Sequence, residues 1–104
     1  MARKIEGRPG WFGTVNYYEN GKKIGERRVG FFGGTVLYDN HGHRIGTGRP
    51  GFFGRQIYYD NQGHRVGESR PGFFGSSLHD RQGRKVGETR PGILGSVTRL
   101  KDKG

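Results

Sequence analysis

A six-residue phrase recurs five times along this chain and limits what the chain can fold into. It reads Arg-Pro-Gly-Phe-Phe-Gly at Arg49–Gly54 and Arg70–Gly75. Relaxed copies stand at Arg8–Gly13 (RPGWFG), Arg28–Gly33 (RVGFFG) and Arg90–Gly95 (RPGILG). The first glycine of the phrase falls at Gly10, Gly30, Gly51, Gly72 and Gly92, in steps of 20, 21, 21 and 20 residues. A fixed period of this length indicates one supersecondary unit per step, stacked on its neighbours. The whole chain, 1–104, reads as a single domain of such units.

Between the phrases runs a second string: YYENGKKIG (Tyr17–Gly25), YDNHGHRIG (Tyr38–Gly46), YDNQGHRVG (Tyr59–Gly67) and HDRQGRKVG (His79–Gly87). An aromatic or β-branched approach, an Asn/Asp/Gly turn and an exit through Ile or Val make a β-hairpin, with Asn20-Gly21 its strongest two-residue form. Glycine every few residues would cost a helix roughly 1 kcal/mol each, so the fold class is all-β. In Arg-Pro-Gly the proline sets φ and removes a donor where no ladder bond is needed, ending one hairpin and turning the chain.

The two ends carry complementary halves of one unit. GSVTRLKDKG (Gly95–Gly104) aligns with the first half of a hairpin, GTVNYYENG (Gly13–Gly21). ARKIEGRPG (Ala2–Gly10) aligns with a second half, GKKIGERRVG (Gly21–Gly30). Unpaired strand edges invite aggregation. Pairing a strand at about Val97–Leu100 with one at about Arg3–Ile5 gives a closed ring of five hairpins; pairing the halves between molecules instead gives a homo-oligomer or fibre.

Composition narrows the chemistry. With 29% hydrophobic residues and 22 glycines, a large apolar core is not available. Absence of cysteine removes disulfides, thiolate metal sites and thiol nucleophiles. No apolar run is long enough to span a membrane as a helix, and a cytoplasmic location is the default expectation. A net charge of +10 attracts anions such as nucleic acid, acidic lipid surfaces or acidic proteins.

The aromatic pairs Trp11-Phe12, Phe31-Phe32, Phe52-Phe53 and Phe73-Phe74, with Ile93-Leu94, are expected to insert at least one side chain between units. An exposed member could stack nucleic-acid bases. Val15, Tyr17, Val36, Tyr38, Ile57 and Tyr59, with the exits Ile5, Ile24, Ile45, Val66 and Val86, are expected to complete the packing.

Two sets of cations repeat in register. Arg8, Arg28, Arg49, Arg70 and Arg90 precede the phrase glycine, and Glu6, Glu26, Glu68 and Glu88 stand two residues before four of them. Residues two apart on a strand share a face, which predicts local ion pairs or stacking on aromatics; only Arg49 lacks the acid, having Thr47. The second set is Lys4, Lys23, Arg44, Arg65 and Lys85. Glycine occupies both positions two away from the last four, so no same-strand acid shields them and this set reads as an anion-binding girdle around the outside or as a solvated basic rim, with Arg49 a secondary basic site. Asp39, Asp60 and Asp80 open turns, where a side-chain bond to the backbone accounts for them. The histidines His41, His43, His64 and His79 lack ligand spacing, so no metal or other cofactor is expected. No nucleophile elbow or phosphate-binding loop is present, no catalytic residue is assigned, and the chain is not read as an enzyme.

The tyrosine–aspartate–turn–glycine string resembles that of short bacterial proteins built from β-hairpin repeats of about twenty residues, called β-flower proteins. The resemblance covers nearly the whole chain and implies an architecture rather than an activity. It departs in count, since the β-flower pattern is four-fold and this chain has five units when its ends are joined. YYENGKKIGE (Tyr17–Glu26) is also similar to MORN-type repeats, which are associated with membrane and protein contacts but lack the Arg-Pro-Gly-Phe-Phe-Gly phrase. The functional expectation is a non-enzymatic binding module for a polyanion such as nucleic acid. The alternative is a structural or self-assembling repeat protein.

Overall fold

At Asn20-Gly21 the backbone takes positive φ at both residues, 53° and 77°. Those are the values of the tight turn whose twist matches two right-twisted strands. The next three turns are one residue longer and are held by their aspartates. Asp39 Oδ1 accepts from the N–H groups of His41 and His43 at 2.9 Å each, and Asp60 and Asp80 do the same in their turns.

These turns organise ten strands in a computed structural model that describes residues 3–30, 33–92 and 95–101. In chain order they are β1 (Arg3–Pro9), β2 (Val15–Glu19), β3 (Lys22–Val29), β4 (Thr35–Asp39), β5 (Arg44–Pro50), β6 (Gln56–Asp60), β7 (Arg65–Gly72), β8 (Gly75–Asp80), β9 (Lys85–Gly92) and β10 (Gly95–Leu100). Each is antiparallel to its neighbours in sequence, and β1 also pairs with β10, so the sheet is a closed barrel. At the seam Arg3 lies opposite Leu100, Lys4 opposite Arg99, Ile5 opposite Thr98, Glu6 opposite Val97 and Gly7 opposite Ser96. The torn hairpin is therefore mended within one chain.

Four hairpins carry a bulge on their second strand, at Ile24, Ile45, Val66 and Val86, where the register shifts by one. A glycine follows each: Gly25, Gly46, Gly67 and Gly87. The backbone of the next hairpin passes so close that a Cβ on Gly25, Gly46 or Gly67 would sit 2.5 Å from the carbonyl oxygen of Tyr38, Tyr59 or His79. In β1 Glu6 follows Ile5 directly, with no such glycine, and the seam is unbulged.

No hydrophobic side chain among the described residues is fully buried. The barrel instead encloses a central cavity of about 770 Å³. Cross-strand pairing puts Tyr17, Leu37, Tyr58, Leu78 and Thr98 at equivalent inner positions. Strand alternation corrects part of the expected core: Val36, Tyr38, Ile57 and Tyr59 belong to the outer face. Ile5, Ile24 and Ile45 border the cavity, although Ile45 is 53% exposed, and Val66 is 49% exposed.

The larger correction concerns the aromatic pairs. Trp11, Phe12, Phe52, Phe53, Phe73 and Phe74 are 82–102% exposed. Successive hairpins are joined edge to edge by backbone pairing, β3 to β4, β5 to β6 and β7 to β8. No gap remains between units for a side chain to enter, so the aromatics stand out from the rim. Phe31, Phe32, Ile93 and Leu94 lie outside the described residues.

The bulge glycine makes a direct prediction. Gly46→Ala pushes a methyl group into the Tyr59 carbonyl and should lower unfolding free energy by about 1–3 kcal/mol, measured by urea denaturation; an unchanged midpoint would show that the close approach is not required.

Candidate functional site: the aromatic rim and its cation wall

All the linkers that carry the phrase connect an odd strand to the following even one, so they gather at one end of the barrel; the hydrophilic turns occupy the other. Each described three-residue turn is built locally. Gly10 N–H donates to the Thr14 carbonyl at 2.7 Å and Thr14 N–H to the Trp11 carbonyl at 3.1 Å, and Gly51, Phe52 and Arg55 repeat the pattern. The geometry forces Phe12 and Phe53 into the left-handed region, at φ 56° and 58°. A bulky side chain there is a true outlier, held at a cost of about 1–2 kcal/mol.

Behind the rim stands the first cation set, positioned as the sequence predicts. Arg28 donates to Glu26 at 3.0 Å, Arg8 to Glu6 at 3.3 Å and Arg70 to Glu68 at 2.9 Å; Arg90 lies 3.6 Å from Glu88. The guanidinium groups of Arg8, Arg28 and Arg49 also lie 4.6, 4.5 and 5.1 Å from the ring centres of Tyr18, Tyr38 and Tyr59. Arg49, without an acid, has only the ring among the described residues. Glu68 is the most enclosed charge among the described residues, 4% exposed, and takes Arg65, Arg70 and Arg55 at 2.9, 2.9 and 3.7 Å.

The second set does ring the barrel at one level. Lys4, Lys23, Arg44, Arg65 and Lys85 lie opposite Arg99, Tyr18, Tyr38, Tyr59 and His79. Three of them are not unshielded. Lys23 meets Glu26 at 3.7 Å, Arg65 meets Glu68 at 2.9 Å and Lys85 meets Glu88 at 3.8 Å. The bulge is the reason: one extra residue makes positions i and i+3 share the outer face, where strict alternation pairs i with i+2. Arg44 has Thr47 at i+3, so β5 alone among the bulged strands presents two arginines, Arg44 and Arg49, with no ion pair among the described residues. Lys4, on the unbulged β1, is also without one.

Sequence reasoning missed one candidate site residue altogether. Arg27 lies opposite Val15 and Leu37 on the inner face. Its repeat equivalents are Gly7, Gly48, Ser69 and Thr89, so a lone large charge in a column of small residues was the available signal. Among the described residues, no group of three His, Cys, Asp or Glu side chains could hold a metal ion.

The carboxylates set the acid response. Asp39, Asp60 and Asp80 are held below the ordinary value chiefly by the backbone N–H groups of His43, His64 and Arg84; Glu26 and Glu68 are lowered chiefly by Arg28 and Arg70. The folded state therefore binds protons more weakly than the unfolded chain. Stability from these groups is present above the ordinary values, 3.8 for Asp and 4.5 for Glu, and is lost as pH falls through them toward the lowered ones. The urea midpoint should be flat through neutral pH and drop in acid, and Asp60→Asn should flatten that acid slope. A midpoint that rises on acidification would contradict this. The chain matches no family model, no curated protein and no solved structure.

Proposed function

We propose that the protein is a non-enzymatic binding module that docks its aromatic rim on a polyanionic surface, and that this surface is an anionic lipid bilayer. One observation carries the reading: six described aromatic side chains stand almost fully exposed at one end of a chain of net charge +10, two of them on strained backbone. Clustered exposed apolar side chains mark an interaction site. Aromatic rings favour the membrane–water interface. Each Lys or Arg held near an anionic leaflet adds about 1 kcal/mol. The loops offer rings at the tips and arginines one step behind, the order in which a bilayer offers its acyl boundary and its headgroups. In a cytoplasmic setting the matching surface is the inner leaflet. The outer wall favours docking over spanning, because each odd-numbered strand carries at least two charged side chains where a spanning barrel needs an apolar band.

A second reading, nucleic acid binding, is favoured by the β5 flank. Arg44 and Arg49 have no acid partner among the described residues, and Tyr38 and Tyr59 lie opposite Arg44 and beneath Arg49, so cations and rings alternate as a single strand requires.

Co-sedimentation with phosphatidylserine-containing vesicles, phosphatidylcholine vesicles and a single-stranded oligonucleotide separates the two. The expected result is binding to the anionic vesicles that weakens with salt and is lost in a Phe12→Ser/Phe53→Ser/Phe73→Ser variant. Binding to the oligonucleotide alone, abolished by charge reversal at Arg44 and Arg49, would replace the membrane by nucleic acid. Binding to neither would remove both. A companion measurement tests the strain: Phe53→Gly should raise stability by about 0.5–1 kcal/mol while weakening vesicle binding, because the ring contributes nothing to folding and glycine tolerates the positive φ. A loss of stability would show that the ring is packed.

A further inference from the structure

The barrel interior is a second site, independent of the rim. Its cavity of about 770 Å³ falls in the ordinary size range of small-molecule pockets. Apolar and aromatic side chains, Tyr17, Tyr58, Leu37 and Leu78 among them, supply most of the wall. Into it projects one cation. Of the five repeat-equivalent inner positions, four hold Gly7, Gly48, Ser69 and Thr89, and the fifth holds Arg27. Its cross-strand neighbours, Val15 and Leu37, offer no acceptor on their side chains. Arg27 forms no salt bridge and no side-chain hydrogen bond among the described residues. Glu26 also borders the cavity, but its carboxylate is engaged by Arg28 and Lys23. Gln56 Oε1 and Thr35 Oγ1, at equivalent first positions of β6 and β4, are enclosed without a hydrogen-bond partner. The wall also carries Gln56 and several serines and threonines, but Arg27, half-buried and without a counter-ion among the described residues, gains a charge-assisted partner when an anion is supplied.

We propose that the barrel interior binds one amphiphilic monoanion, a carboxylate on an apolar body, with the carboxylate on the Arg27 guanidinium and the body against Tyr17, Tyr58, Leu37 and Leu78. A planar carboxylate matches the two-pronged donor face of a guanidinium. A phosphate dianion would call for further cations, and Arg27 is the one unpaired cation lining this wall among the described residues. Burial raises the Tyr17 hydroxyl above its ordinary value and Arg27 pulls it back, as expected for two groups that face the same enclosed space.

The test is calorimetric titration of the lipid-free protein with decanoate and with its uncharged counterpart, 1-decanol. One decanoate should bind per chain, with decanol roughly tenfold weaker or worse, the worth of one charge-assisted contact. Arg27→Gln should lower decanoate affinity by a similar factor and leave decanol unchanged, which also reports that the cavity is intact. The Phe12→Ser/Phe53→Ser/Phe73→Ser variant should retain full decanoate binding, since the rim is not involved. Nuclear Overhauser contacts from the decanoate chain to the Tyr17 and Tyr58 rings should accompany binding. Equal affinity for acid and alcohol, no effect of Arg27→Gln, loss of binding in the rim variant, or no binding at all would each overturn the proposal.

Discussion

The barrel depends on backbone pairing between β1 and β10. Five residues of each strand lie in register there, and they are the first and last strands of the chain. Without that seam the other nine pairings form an open, curled sheet with two bare edges, each a template for another strand. With it, every strand has two neighbours. The local sequence agrees: β1 lacks the bulge glycine that the other four exits carry, and the seam is the one hairpin-like junction without a register shift.

Closure by backbone explains how so little apolar material suffices. Hairpins that stack face to face need side chains between them, whereas hairpins joined edge to edge are held by hydrogen bonds and need close approach. The bulge glycines provide that approach, with the next carbonyl in the space of a Cβ. The inner face is then relieved of dense packing, leaving a cavity in which Tyr17 and Tyr58 lie opposite the glycines Gly7, Gly25, Gly48 and Gly67. The rim aromatics are likewise free of a structural role, and their exposure and the strained φ of Phe12 and Phe53 have no evident return inside the fold. Backbone strain that the fold does not use points toward a surface function.

Charge follows the same geometry. A regular strand pairs i with i+2, and the Glu–Arg couples behind the rim obey this. One bulge later the rule becomes i with i+3, and Glu26, Glu68 and Glu88 each take a second cation across it. Replacing one glutamate by Thr47 therefore releases two arginines at once, which makes the β5 flank unlike its four counterparts.

The repeat phrase, the Asn-Gly turn and the complementary ends made the hairpins, their count and the seam legible, because these features act between residues close in sequence or through a strict register. The arginine–glutamate couples were legible for the same reason. Strand faces were not. Lys23, Arg65 and Lys85 looked unshielded because one inserted residue shifts the phase of their strands. Val36, Tyr38, Ile57 and Tyr59 looked inward because they match Val15 and Tyr17 in type but stand one position later after the phrase glycine, which puts them on the opposite face. Nor could the string Phe-Phe say whether it packs or protrudes; that depended on whether neighbouring hairpins meet by edge or by face. Arg27 became an interior charge only when pairing with Val15 and Leu37 turned it toward the cavity. By itself, then, the sequence determined an all-β array of hairpins with complementary ends and left their joining within one chain or between chains open, since period and turn chemistry are local. Only the tertiary structure decided which side chains face in, which ions meet and which rings meet solvent, since those follow from strand phase and edge-to-edge closure.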